Sequence, residues 1–238
     1  MDEEFKLENS NYELKKIKFN VDDVLHQNIK EPFPNTSFFW LIAGKAGSGK
    51  TNLLINALTG PYKKVFDKIL LVMPKNSRAS LKNNPLDDLP DDQQFESFGP
   101  SVLAKIHDIR DDFDELNKKK PRNRNQLLIL DDVTAYLKDH PKELIELATN
   151  RRHLKLSIIL LVQFVRSIPR PVRFQITDLC IFKPANELDT KILEEEFINM
   201  DKDKFKKLCR FVWQSPHDFL FINKNYETFY KNLNKIIF

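Results

Sequence analysis

Glycine is scarce in this chain, five residues in 238, and cysteine is scarcer, with two. Long hydrophobic runs are missing altogether: stretches such as Ile158 to Val162 fall far short of the ~20 apolar residues that a helix needs to cross a bilayer. The first ten residues, MDEEFKLENS, are acidic and hold no apolar core of a secretory signal. The expectation is a soluble, unsecreted chain without a membrane segment. Cys180 and Cys209 stand apart, with no CxxC and no paired histidines, which excludes a disulfide framework and a zinc site. Both are expected as reduced core residues. A net charge of only +4 does not by itself point to nucleic acid. With 41% hydrophobic residues the chain can fill one good core. We expect one globular domain over residues 36–238, preceded by an N-terminal extension, residues 1–35.

Because glycine is so rare, its placement is informative. Three of the five lie in one stretch, Gly44-Lys45-Ala46-Gly47-Ser48-Gly49-Lys50-Thr51, which fits the pattern G-x-x-x-x-G-K-[ST] of a P-loop. Glycines let successive backbone N–H groups curl around a phosphate, and the helix that follows adds the positive end of its dipole. Lys50 would neutralise β- and γ-phosphates, and the Thr51 hydroxyl would hold Mg²⁺. The flanks suit this reading. Phe38 to Ala43 is a continuous apolar run typical of a buried strand, and Leu53, Leu54, Ala57 and Leu58 recur at helical spacing before Gly60-Pro61.

Further buried strands are expected at Ile69 to Met73, Leu127 to Leu130, Ser157 to Val162 and Leu179 to Phe182. Helices are expected from Val102 through Leu116, from Pro141 through Ala148 with Asp139 or His140 as cap, and from Asn186 through Phe197. Residues 74–100 read as a long polar surface loop. Phe219 to Ile222, then Tyr226 to Tyr230, read as a hairpin at the sheet edge. Strands alternating with helices predict an α/β fold with a mostly parallel central sheet, helices on both faces and a C-terminal β-hairpin.

A site that hydrolyses a triphosphate needs an acid for the metal and a group that activates water. Asp131, closing an apolar strand, fits the Mg²⁺ acid, and Asp132 fits the adjacent base. Gln163 ends the next strand, where ligands meet parallel sheets, and is suited to sense the γ-phosphate or orient water. Two GTPase features are missing: no glycine has an aspartate three places before it, and Asn223-Lys224-Asn225-Tyr226 fails the base-reading NKxD. The LSGGQ signature of ABC transporters is also absent.

The succession GKAGSGKT, LLILDD, RRHLKLSIILLVQ, IPRPVR, LCIFK and DFLFINKNYETFYKN resembles the genome-packaging ATPases of large DNA viruses and virophages, within the FtsK/HerA superfamily. The resemblance spans roughly residues 36–238. It implies a RecA-like core, ATP and Mg²⁺ as cofactors, and a homo-oligomeric ring, pentamer or hexamer. It also implies translocation of double-stranded DNA into a preformed capsid, a capsid or portal partner, and a location in the host cytoplasm, at a viral factory, or in the virion. Asp132 stands where many superfamily members have Glu.

In a parallel sheet the start of a strand lies opposite its nucleotide edge. Arg152, just before the fourth strand, therefore points away from its own Asp131 and Gln163 and is placed to reach a neighbouring subunit as an arginine finger, as the resemblance also implies. Arg173 is a second candidate and Arg151 a third; surface ion pairing is the competing reading for each. For DNA, the candidates are Lys75, Arg78 and Lys82 in the 74–100 loop and the run Lys118 to Arg124, with solvated loops as the competing reading. Two other classes stay open: a nucleotide-dependent binding or assembly switch that pumps nothing, and a small-molecule P-loop kinase.

Overall fold

A computed structural model describes residues 28–78 and 84–238. The first 27 residues of the expected extension, and Lys82, lie outside the described residues.

The alternation of apolar runs and amphipathic stretches becomes a single sheet. Its strands are β1 (Phe39–Ala43), β2 (Lys68–Val72), β3 (Gln94–Phe95), β4 (Gln126–Asp131), β5 (Leu156–Val162), β6 (Asp178–Phe182), β7 (Phe219–Asn223), β8 (Thr228–Lys231) and β9 (Asn234–Lys235). They lie in the order β3-β2-β4-β5-β1-β6-β7-β8-β9. The first six are mutually parallel, and β7 to β9 are antiparallel. The expected hairpin is β7–β8, but β7 also pairs along its whole length with β6, so only its outer side is the sheet margin.

The helices are α1 (Lys50–Thr59), α2 (Lys75–Arg78), α3 (Pro100–Lys119), α4 (Thr134–Asp139), α5 (Pro141–Asn150), α6 (Arg170–Phe174), α7 (Glu187–Ile192), running into a π-helical turn at Leu193–Phe197, and α8 (Lys202–Val212). Strand periodicity divides the core. Phe39, Leu41 and Ala43 face α3, α5, α6 and α8, while Phe38, Trp40 and Ile42 face α1 and Tyr62. Both faces are covered, which is why β4 and β5 are buried at every position.

Several expectations need correction. Among the described residues of the 74–100 stretch, α2 follows β2, Asp91–Gln93 forms a 3₁₀ turn, β3 adds an edge strand, and Leu86 and Phe98 are buried. Short elements in a proline-bearing polar stretch leave no periodicity to read. Residues 170–174 and 202–212 are helices not anticipated; α8 places Phe205, Leu208 and Val212 on one buried face. His140 precedes α5 but gives it no side-chain cap, its ring meeting Glu143 at 3.3 Å, whereas Asn186 does cap α7 by accepting from the Asp189 N–H at 2.9 Å. Cys180 is buried and Cys209 only half-buried, both as free thiols. Packing also begins before residue 36: the Phe33 ring meets Trp40 and Tyr62 edge-on, and the Tyr62 hydroxyl donates to the Pro34 carbonyl at 2.8 Å.

Candidate nucleotide-binding site

The register fixes where chemistry can occur. Ala43 pairs with Val162, and Asp131 pairs with Leu161, so the ends of β1, β4 and β5 meet at one edge, the edge where open α/β sheets take ligands. The loop between β1 and α1 turns there. Gly47 and Gly49 have φ of 72° and 107°, a region that L side chains rarely adopt. Gly44 is required for a different reason: a Cβ there would sit 2.7 Å from the Ser48 hydroxyl and 2.8 Å from the Phe182 Cβ.

These constraints open a cavity of about 280 Å³ lined by Gly47, Lys50, Thr51, Asp131, Asp132 and Gln163. The first-turn N–H groups of α1 have no preceding helical carbonyl to bond and are available to an anion. Lys50 is folded over the loop, its ammonium donating to the Gly44 carbonyl at 2.7 Å and the Lys45 carbonyl at 3.1 Å. Burial lowers its pKa from the ordinary lysine value, opposed by Asp131 and Asp132. A phosphate would restore the balance that burial disturbs.

The Thr51 hydroxyl donates to Asp131 at 3.4 Å. Burial raises the Asp131 pKa to about 6, with Asp132 adding to the shift and Lys50 opposing it. A buried carboxylate beside one hydroxyl is a hard-oxygen donor pair that a divalent cation would stabilise. Among the described residues no three His, Cys, Asp or Glu side chains gather into a metal cage. Mg²⁺ takes one or two protein oxygens and completes its shell with phosphates and water.

Asp132 follows the strand with φ of 57°, turning back toward the cavity, and Ser77 donates to its carboxylate at 2.6 Å. Asp tolerates this left-handed conformation better than most residues. Ser77 belongs to α2, and its position over the site was not legible in the sequence. The only available signal was its place just after the end of a core strand. Gln163 is exposed and lines the same cavity.

The arginines lie elsewhere. Arg152 is exposed in the α5–β5 turn, at the other end of β5 from Gln163, six strand steps or about 20 Å away. Arg151 donates to the Ala148 carbonyl at 2.8 Å. Arg173 is largely buried, clamped by both Glu196 oxygens at 2.7 and 2.8 Å and by the Ile168 carbonyl at 2.6 Å. Four of the basic candidates for DNA are also engaged within the chain. Lys75 pairs with Glu96 at 2.7 Å, Arg78 bonds Gln94 and Met73, Arg122 pairs with Asp67 at 3.0 Å, and Arg124 bonds Asn117.

A glycine loop between strand and helix, two acids ending the adjacent strand but one, and a polar residue ending the strand between them define a P-loop ATPase. The chain belongs to the Poxvirus A32 protein family, whose model matches residues 26–218. This places it among viral packaging ATPases. It is similar in structure to the genome packaging NTPase B204 from Sulfolobus turreted icosahedral virus 2 in complex with ATP-gammaS, at 18% identity and a TM-score of 0.56, over 84% of this chain and 98% of that one. B204, the DNA-packaging ATPase from Sulfolobus turreted icosahedral virus, matches at 17% identity and 0.55, over 85% and 98%. EssC (ATPases 2 and 3) from Geobacillus thermodenitrificans matches at 14% identity and 0.51, over 84% of this chain and 40% of that one. At these identities the likeness to solved structures shows the fold. A sequence search of curated proteins finds no match.

Proposed function

We propose that this chain hydrolyses ATP in a homo-oligomeric ring and uses the energy to drive double-stranded viral DNA into a preformed capsid. The observation that carries the reading is the split of functional groups between two sheet edges. Lys50, Thr51, Asp131, Asp132 and Gln163 gather at one edge, while the exposed Arg152 lies at the other. A site with no arginine among its described lining residues, in a subunit that presents one at the far sheet edge, can be completed by a neighbour in a closed ring. The similar B204 is a genome packaging NTPase, solved in complex with ATP-gammaS, which supports the assignment.

In this reading the loop N–H groups and Lys50 hold the phosphates, with Lys50 exchanging its two carbonyl contacts for phosphate oxygens. Thr51 and Asp131 would hold Mg²⁺, which when bound neutralises charge on the transferring phosphoryl group. Asp132, fixed by Ser77, accepts the proton of the attacking water, and Gln163 orients that water. Arg152 of each subunit stabilises the charge that develops on the next subunit's γ-phosphate. Arg173 is the weaker candidate because Glu196 already neutralises it.

The test is ATPase rate against added duplex DNA, together with oligomer mass. Stimulation by DNA, lost in Lys50→Ala and Asp132→Asn, is expected. Stable ATP binding without turnover, with or without DNA, would leave a switch. A monomer whose turnover depends on a small acceptor would indicate a kinase.

A further inference from the structure

Positive charge is unevenly placed along this chain. Helix α8, Lys202–Val212, carries Lys202, Lys204, Lys206, Lys207 and Arg210 against one acid, Asp203. Its net of four positive charges equals the formal net charge of all 238 residues, so the remainder of the chain sums to zero. All five cations are exposed, and none makes an ion pair with a described residue. Basic residues in the 74–100 and 118–124 segments differ in this respect: Lys75 and Arg122 already hold carboxylates at 2.7 and 3.0 Å.

Helical spacing decides where this charge points. Phe205, Leu208 and Val212 are buried in the core, which turns Lys206, Lys207 and Arg210 outward, with Lys202 one turn before Lys206. From Lys202 to Arg210 the helix advances about 12 Å, a length over which one strand of a duplex presents three or four phosphates, at about 3.4 Å each. The flanks add cations over their exposed rings. The Lys204 ammonium lies 4.6 Å from the centre of the Phe238 ring, and the Lys231 ammonium 5.2 Å from that of Phe211. With its apolar side used in the core, α8 has no face left to insert among lipid chains, and unpaired side chains of one sign fit a polyanion.

The helix also leads into the nucleotide loop. Trp213, the next residue, donates its indole N–H to the Ile181 carbonyl at 3.3 Å. Beyond it, one Asp218 oxygen accepts the N–H groups of Gln214 and Ser215 at 3.2 and 2.8 Å, and the other accepts from Asn232 at 3.1 Å. From this braced turn His217 donates through Nδ1 to the Ser48 carbonyl at 2.9 Å, inside the P-loop. We propose that the outer face of α8 is the surface that grips duplex DNA, with Lys202, Lys206, Lys207 and Arg210 bonding the phosphates of one strand, and that residues 213–218 carry this engagement to the P-loop through His217. Phosphate contacts of this kind read no sequence, as a motor that moves along DNA requires. The inference rests on the DNA reading of the function and adds where the duplex is held.

The test is the anisotropy of a labelled duplex of about 30 base pairs, titrated with full-length protein at salt from about 50 to about 200 mM. The triple variant Lys206→Gln/Lys207→Gln/Arg210→Gln should bind about tenfold or more weakly and flatten the slope of log affinity against log salt by about 2.7, at about 0.9 per phosphate contact. Asp203→Asn, which removes the one acid of the helix, should tighten binding, a gain that a merely structural role does not produce. His217→Ala should keep the wild-type slope and lose the stimulation of ATP hydrolysis by DNA. An unaltered slope in the triple variant, shown to be folded by urea denaturation, or no gain from Asp203→Asn, would overturn the surface. Tighter binding to phosphatidylserine-phosphatidylcholine vesicles than to DNA would overturn it in favour of a membrane. Stimulation that persists in His217→Ala would overturn the link to the P-loop. A wild-type chain that binds no duplex would overturn the DNA reading of the function, and this inference with it.

Discussion

Asp178 offers the most direct test of the reasoning, because its environment makes a signed prediction. It opens β6, is 2% exposed, and accepts hydrogen bonds from Thr177 at 2.7 Å and Asn223 at 2.9 Å. Burial nevertheless raises its pKa from 3.8 to about 7, against the pull of these two donors and of Arg151. Between about pH 4 and pH 7 the folded state therefore binds a proton that the unfolded chain has released. Stability from this group is highest at low pH and is lost as pH rises. A shift of this size corresponds to about 4 kcal/mol at the alkaline end of the window, at about 1.4 kcal/mol per unit. Asp178→Asn removes the titration while keeping both partners: its amide oxygen still accepts from Asn223, and its NH₂ can donate to the Thr177 oxygen as that hydroxyl turns to the Phe39 carbonyl 3.3 Å away. Urea denaturation of both proteins from about pH 5 to about pH 8 should show the variant gaining about 3 kcal/mol on the wild type across that range, the rest of the effect lying below pH 5. A stability difference that stays flat with pH, or that favours the wild type increasingly as pH rises, would refute the account of this carboxyl.

The arginines separate by function and stability. Arg173→Ala leaves the half-buried Glu196 with only the exposed Arg170, 3.7 Å away, and should cost about 1.5–3 kcal/mol in denaturation, the worth of a hydrogen bond to a charged group. Arg152→Ala should alter stability by no more than about 0.5 kcal/mol yet abolish hydrolysis. Mixing Arg152→Ala with Lys50→Ala subunits should restore part of the rate, and no recovery at any ratio would count against action across an interface. Gly44→Ala drives a Cβ into the Ser48 hydroxyl and the Phe182 Cβ, for an expected loss of about 1–3 kcal/mol and weaker ATP binding by calorimetry. Ser77→Ala frees the Asp132 carboxylate and should lower kcat roughly tenfold with ATP affinity unchanged, since the lost bond is to a charged group worth about 1.5–3 kcal/mol. An unchanged kcat would remove Ser77 from a positioning role.

What the sequence by itself determined is whatever lies in contiguous residues. The P-loop is one unbroken stretch, and its glycines are required by backbone geometry that any strand-loop-helix unit imposes. Asp131, Asp132 and Gln163 could be placed because each terminates a fully apolar strand, and parallel strands that cross over by helices must end at a common edge. The same rule put Arg152 at the opposite edge without coordinates. The tertiary structure decided everything that joins distant segments through side chains. Ser77 meets Asp132 across 55 positions, and His217 meets Ser48 across 169. Arg173 looked as available as Arg152 until the π-helical turn brought Glu196 against it. Gln94–Phe95 became a strand and residues 202–212 a helix because a β2 edge needed a partner strand and the sheet a further cover, demands set by the assembled core and invisible in any local pattern. Apolar periodicity records which face a residue buries, and the neighbours it meets there are fixed only when the sheet order is complete.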